Sequence, residues 1–410
     1  MNYCGYWSRN MSRKYNSIRS TSSKSRLEID FDSKKNLLLW IKRFLIIGGI
    51  WPLDKTYIRA TIWTIYLTLH LIAVYAELLA VFGDLEAMVL SVLESVMQTM
   101  VLTKLIVFRH SKILRKLILH IKEDFNDEFY DNDEEKKIYL KYNHLAKLYF
   151  KLSMPYIVLG ASLYFFRPII TNIIVSDDSN GSFILPFRTK LFFNLSDSKI
   201  YYLTYAYQSP MIYLLICHNA WICVLITIVL HICGQLAILR HRIQGIIINT
   251  NKDESQIIFQ RIVKRHMRAI WMAKKMDDTF HFILLFDLVG TTLLLGLMSY
   301  VVITGSNMSD SSFGPVYVVC ALATILLLYG YCIVGECLID ESNRVHIAFY
   351  QCMWYESSKS FRKGLIICLQ QTQEPLRITG GKFFVFSLNG FTDVLKTAMG
   401  YLSMLRKMSQ

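Results

Sequence analysis

The residues best ordered for chemistry lie near the end of the chain. Asn389, Asp393, Lys396, Gly400, Ser403, Met404 and Lys407 recur at steps of three and four. At about 100° per residue they share one face of a helix. Phe386, Leu388, Val394, Leu395, Leu402 and Leu405 take the other faces. A charge at mid-bilayer costs about 3 kcal/mol or more, so such a helix does not turn its polar stripe to lipid. Two readings follow from spacing alone. The stripe lines a water-filled path, or it is buried against neighbouring helices with Asp393 and Lys396 paired at i,i+3.

Nothing else in the chain reads as a reaction centre. The strings HExxH, GxSxG, GxxxxGK and GxGxxG are absent. His70, His218 and His281 fall in apolar segments without metal-ligand spacing and read as hydrogen-bonded helix histidines. The 9 Cys show no CxxC and no repeated spacing, which argues against a disulfide framework or a zinc site. The expectation is a protein that is not an enzyme, with no catalytic residue, cofactor or metal. The candidate chemistry is instead that of a small apolar ligand. Tyr156, Tyr164, Phe165, Phe166, Tyr205, Tyr207, Met211, Tyr213, Met298, Tyr300 and Tyr317 crowd the outer halves of the apolar segments. A cavity lined in this way binds by dispersion and area burial. Interfacial tyrosine belts and ordinary packing use the same residues.

These residues are positioned by an all-α membrane architecture. The chain has 410 residues, 53% hydrophobic and 19% charged, with the charge in blocks between long apolar runs. Seven runs can cross a bilayer: Ile58–Phe82, Leu85–Phe108, Leu145–Thr171, Leu203–Ile232, Phe280–Thr304, Pro315–Leu338 and Phe383–Leu405. The second is the least apolar, with Glu94, Gln98 and Lys104. Backbone groups have no water to bond in the bilayer core, so all seven are expected to be helical. The net charge of +14 matters less than its placement, and no nucleic acid is implied. Lys and Arg number 11 in the N-terminal segment to Tyr57, 9 in the fourth loop and 6 in the sixth. The first and fifth loops have 0, the third has 3 and the C-terminal tail has 2. The positive-inside rule then puts the N-terminus in the cytosol and the C-terminus outside. The first apolar run starts too late for a cleaved signal peptide. Sequons at Asn180, Asn194 and Asn307 fall in outside loops, whereas the one at Asn10 falls inside. This orientation, with no DRY-like triplet and no NPxxY, excludes a G-protein-coupled receptor.

The loops assigned to the cytosol have structure of their own. In the sixth, Tyr350 and Trp354 lie one helical turn apart, followed by Lys359, Arg362 and Lys363, and Pro375 stops the next apolar stretch. This reads as helices packed on another subunit, or on the chain's own fourth loop. The fourth loop sets Ile257, Ile258, Ile262 and Val263 beside Arg261, Lys264, Arg265 and Arg268. The acidic run from Glu123 to Glu135 reads as a solvated helix face.

Three stretches resemble the insect odorant receptors. They are Ile46 to Pro52 (IIGGIWP), then Gly335-Glu336 with Glu341-Ser342, Ala348 to Tyr350 and Trp354-Tyr355, and most closely Pro375 through Leu405. The chain is similar to a variable, odour-specific subunit. It lacks the fourth-loop insertion of the shared coreceptor. The resemblance implies a heterotetrameric ligand-gated, non-selective cation channel formed with coreceptor subunits in the plasma membrane of a sensory dendrite. It also implies a cytosolic N-terminal segment over 1–57, helices one to six with the pocket over 58–338, anchor helices over 339–382, and a pore-lining seventh helix with a short extracellular tail over 383–410. A small volatile molecule would bind at Ser91, Ser95, Ile157, Gly160, Tyr164, Tyr207, Met211 and Tyr317. The pore and gate would be Asp393, Lys396, Gly400, Ser403, Met404, Lys407 and Met408. The subunit anchor would use Tyr350, Trp354, Tyr355 and Pro375. A gustatory receptor of the same superfamily is the near alternative, although Lys382-Phe383-Phe384 through Asn389-Gly390-Phe391 fits odorant receptors better. A secondary transporter would show internal repeats and broken helices, and no repeat is present.

Overall fold

In the computed structural model the described residues are 37–54, 57–124, 129–174, 184–190, 198–245, 252–304, 314–352 and 354–408. They form α1 (Leu37–Ile47), α2 (Tyr57–Ala80), α3 (Leu85–His110), α4 (Lys112–Glu123), α5 (Asp133–Ile174), α6 (Ser198–Gln208) and α7 (Pro210–Gln244). Then come α8 (Lys252–Thr304), α9 (Gly314–Gln351), α10 (Lys359–Thr372), a hairpin of β1 (Thr379–Gly380) with β2 (Phe384–Val385), and α11 (Leu388–Met408). The fold is all-α. Among the described residues six stretches are long and apolar enough to cross a membrane: α2, α3, α5, the α6–α7 pair, α8 and α9. The seventh expected crossing, α11, is amphipathic instead.

Hydrophobicity decides the layering. The sequence of α7 is apolar all round, and 94% of its most apolar window is buried, against 22% for α2. It is the central post, and the other spans wrap it. Trp221 of α7 stacks on Phe108 of α3 at 4.7 Å between ring centroids, and Phe108 meets Phe280 of α8 at 5.2 Å. Pro210 opens α7, where its missing N–H costs no helix bond, and Ser209 separates α6 from α7. At the α2–α3 turn, Gly83 takes φ 107° and Asp84 caps the free N–H groups of Glu86 and Ala87.

The third, fifth and sixth spans are parts of longer helices. The 53 residues of α8 rise roughly 80 Å at 1.5 Å each, far beyond a hydrocarbon core of roughly 30 Å. With α4, α10 and the ends of α5, α7 and α9, this overhang builds a helical base outside the spanning region. The opposite end, where residues 184–190 sit, is the mouth. The division expected at 338/339 falls inside α9, which runs unbroken to Gln351.

Glu123, Asp131, Asp133 and Glu134 of the acidic run are exposed as expected, but two of its carboxylates depart from a solvated face: Asp124 is 2% and Glu135 1% exposed. His231 Nε2 lies 3.0 Å from Asp124, Arg268 lies 2.8 Å from it, and Arg242 pairs with Glu135. Cations from α7 and α8 draw these carboxylates into the base, a pairing that sequence neighbours do not reveal.

Candidate functional site

The helix α11 starts on a built platform. The expected helix from Phe383 is instead a hairpin up to Val385, because Gly381 and Lys382 take φ 63° and 68°. Such a turn needs positive φ at both central positions, which glycine adopts freely. Asp277 of α8 accepts from Thr379 N and Thr379 Oγ1 at 2.7 Å each, and from Lys382 Nζ at 2.6 Å. Lys382 also reaches Asp278 at 2.7 Å, and that hydrogen bond holds the Asp278 carboxyl below its usual range. Next along the chain, Glu336 of α9 accepts from Leu388 N at 3.1 Å and so caps α11. Gly335 leaves the space that the Phe386 carbonyl occupies, and Ser342 Oγ accepts from Leu376 N. The Gly335-Glu336 and Glu341-Ser342 pattern is thus a socket for the base of α11.

Above that socket the two faces of α11 separate cleanly. Val394, Ala398 and Leu402 are buried against the bundle. Gly296 of α8 permits the approach, since a Cβ there would lie 3.0 Å from Tyr401 Cβ. Asp393, Lys396, Gly400, Ser403, Met404 and Lys407 are all exposed. Lys396 Nζ stands 3.9 Å from Asp393 Oδ1, with side chains 76% and 70% exposed. The stripe therefore does not pack dry against its own bundle. Met408 ends the helix.

At the mouth, the structure joins some of the expected pocket residues and separates others. Tyr164 of α5 donates to Glu94 of α3 at 2.6 Å, and its ring lies 6.2 Å from that of Tyr317 on α9. Arg167 donates to the Tyr317 hydroxyl at 2.9 Å. Ser91 and Ser95 are buried on the Glu94 face of α3. Gly160 lets α5 approach Val319 and Cys320 of α9. Ile157 and Met211 pack into the general core, while Tyr207 is half-exposed beyond His70. Over this cluster dips the segment 184–190. Gln208 holds the Phe187 backbone at both N and O at 3.0 Å, Arg188 N donates to Glu94 at 2.7 Å, and Lys190 N donates to Ala73 O. The buried Phe187 ring then meets Tyr164 at 5.6 Å and His70 at 6.0 Å.

Glu94, Arg167, His70, Phe187 and Gln208 were not among the expected pocket residues. The signal for the first three was an ionisable side chain within a span. Phe187 and Gln208 carried none. Deeper, Lys104 of α3 pairs with Asp287 of α8 at 2.7 Å, beside His218 of α7 at 3.3 Å, and Tyr331 of α9 donates to Asp287 at 3.1 Å. This buried knot ties α3, α8 and α9 to the central post α7.

At the base, Tyr350, Trp354 and Tyr355 are exposed, as are Ile347, Ile366 and Ile367, and Pro375 is half-buried after α10. Together they form an exposed apolar surface on the base. The sequons at Asn180, Asn194 and Asn307 lie outside the described residues.

Comparison with known proteins agrees with this geometry. A family model described as 7tm Odorant receptor matches residues 86–399. Odorant receptor 13a of Drosophila melanogaster is 30% identical over 189 residues, covering 42% of this chain and 45% of that one. The odorant receptor coreceptor of Ooceraea biroi is 33% identical over 149 residues, covering 35% of this chain and 30% of that one. These alignments span less than half the length of either relative. The solved structure of the insect olfactory receptor OR5 from Machilis hrabei in complex with eugenol superposes with a TM-score of 0.75 at 16% identity, over 92% of this chain and 99% of that one. The likeness at that identity is one of fold. With the family model matched over most of its length, this multi-pass membrane chain belongs to the 7tm odorant receptor family, a family of receptors and not of enzymes.

Proposed function

We propose that the chain is the odour-binding subunit of a heteromeric, ligand-gated, non-selective cation channel, assembled with coreceptor subunits in the plasma membrane of a sensory neuron. The observation that carries this reading is the exposed polar stripe of α11. A helix that buries Val394, Ala398 and Leu402 in its own bundle and leaves Asp393, Lys396 and Ser403 outside needs water on that side. In a ring of subunits around one axis, the stripe faces a shared aqueous path, and Met404 narrows its outer end.

Orientation follows from the same chemistry. The base collects Arg240, Arg242, Arg261, Lys264, Arg265 and Arg268, as a cytosolic face does. The mouth is then extracellular, and ligand reaches Tyr164, Tyr317, Ser91 and Ser95 from outside. Tyr350, Trp354 and Tyr355 at the base dock on neighbouring subunits. The relative solved with eugenol supports a small organic ligand for the mouth.

The test is expression with and without the coreceptor, recording current over a broad panel of volatiles. Ligand-gated cation current with both subunits at the surface is the expected result. Silence across the panel, with both subunits surface-labelled, overturns the proposal.

A further inference from the structure

Three polar side chains at the mouth are buried with no hydrogen-bond partner among the described residues. His70 is 0% exposed and neither ring nitrogen has a partner. Ser91 Oγ and both amide atoms of Gln98 are in the same condition. Ser91, Glu94 and Gln98 follow at steps of three and four, so they stack on one face of α3. Glu94 bonds Tyr164, Tyr164 packs on Phe187, and Phe187 packs on His70. The three groups therefore flank one aromatic cluster, walled further by Tyr66 and Tyr207 at 6.1 and 5.9 Å from the His70 ring. Their chemistry is mixed. Neutral imidazole, hydroxyl and carboxamide each offer a donor and an acceptor. Two charged groups beside them are already engaged: Glu94 takes the Tyr164 hydroxyl and Arg188 N, and Arg167 gives to Tyr317.

We infer that the mouth selects small neutral molecules with a flat, aromatic or conjugated body and one oxygen function, a hydroxyl or carbonyl, that pairs with His70, Ser91 or Gln98. The inference rests on the channel reading and gives it a ligand class. Flat bodies fit because the walls are rings that take offset or edge contacts. An oxygen function fits because buried polar groups left unpaired penalise a ligand that cannot pair them. Charged ligands are disfavoured because imidazole, hydroxyl and carboxamide groups carry no charge to offset their desolvation.

The experiment uses the chain with its coreceptor and a panel of matched pairs, each a hydrocarbon and its oxygenated counterpart. Toluene against benzyl alcohol and benzaldehyde is one set, with benzylamine and benzoate as charged members. Oxygenated members are expected to half-activate at concentrations about ten-fold or more below their hydrocarbons, with the charged members inactive. His70→Phe, Ser91→Ala and Gln98→Leu are expected to narrow that ratio by weakening the oxygenated response more than the hydrocarbon response. Surface labelling and a monodisperse peak of the solubilised receptor show that the variants fold. Equal potency within pairs, or a ratio unmoved by all three variants, overturns the inference while leaving the channel reading intact; groups that merely hold water would give that result. A channel silent to every compound removes the channel reading, and this inference with it.

Discussion

Breaking the buried knot at Lys104 and Asp287 should be far worse than removing it. The pair is 2.7 Å apart with side chains 1% and 3% exposed. Lys104→Met leaves the Asp287 carboxylate one hydrogen bond, from Tyr331 at 3.1 Å. Asp287→Leu leaves the ammonium only His218 at 3.3 Å. An uncompensated buried charge costs about 3–5 kcal/mol, and the Asp287 change should lie at the upper end because an imidazole is a poorer partner than a hydroxyl-bonded carboxylate. The double change keeps volume and leaves no charge, so its cost should stay within about 1–2 kcal/mol. At 1.4 kcal/mol per factor of ten, each single change shifts the folded population by roughly 100-fold or more. The assay is the fraction of a tagged receptor at the cell surface, together with the temperature at which the detergent-solubilised protein loses its monodisperse peak. Both singles should fall well below wild type, and the double should recover most of the loss. A double variant as damaged as the worse single would refute the reasoning, since the two residues would then matter by shape and not by charge.

Three further outcomes follow. A cation about 6 Å from Lys396 in a water-filled path is repelled by roughly 0.7 kcal/mol before screening. Lys396→Gln should therefore raise single-channel cation conductance about two-fold per copy, and an unchanged conductance would put that side chain away from the path. Asp277→Ala removes the acceptor of three hydrogen bonds from the 379–382 turn and should lower the peak-loss temperature of the solubilised receptor, whereas an unaltered temperature would show the hairpin held elsewhere. The Asp278–Lys382 contact has a defined pH dependence. Its hydrogen bond lowers the folded carboxyl below the unfolded value, so its contribution is complete above ordinary carboxylate titration and is lost only as pH falls through that lowered value. Cytosolic acidification to about pH 6 should leave this contact closed. An acid-induced loss of current in that range, abolished by Asp278→Asn, would contradict the assignment.

The spans were legible because each is a long apolar run, and the stripe on α11 because polar residues at steps of three and four mark one face. Where the sequence misled, the cause was distant partners. Asp124 and Glu135 look solvated until His231, Arg268 and Arg242 arrive from more than 100 positions away. Phe187 sits in a polar-flanked loop and reveals its descent into the mouth only through Gln208 and Glu94. The hairpin was hidden by Phe383 to Phe386, an apolar run that reads as helix until the positive φ of Gly381 and Lys382 is known. The fourth loop already reads as a helical extension, and α8 runs through it because the base supplies a carboxylate and carbonyls for its basic side chains.

The most direct test of the account is which face of α11 water reaches in the open channel. Single cysteines at Gly400, Ser403 and Met404 on the stripe, and at Ala398 and Leu402 on the buried face, would be treated from outside with a charged thiol reagent during odorant gating. The described native cysteines are free and mostly buried, so the wild-type background should be quiet. The account predicts rapid current change at the first three positions and none at the last two. Modification of Ala398→Cys and Leu402→Cys, with the stripe positions inert, would contradict it.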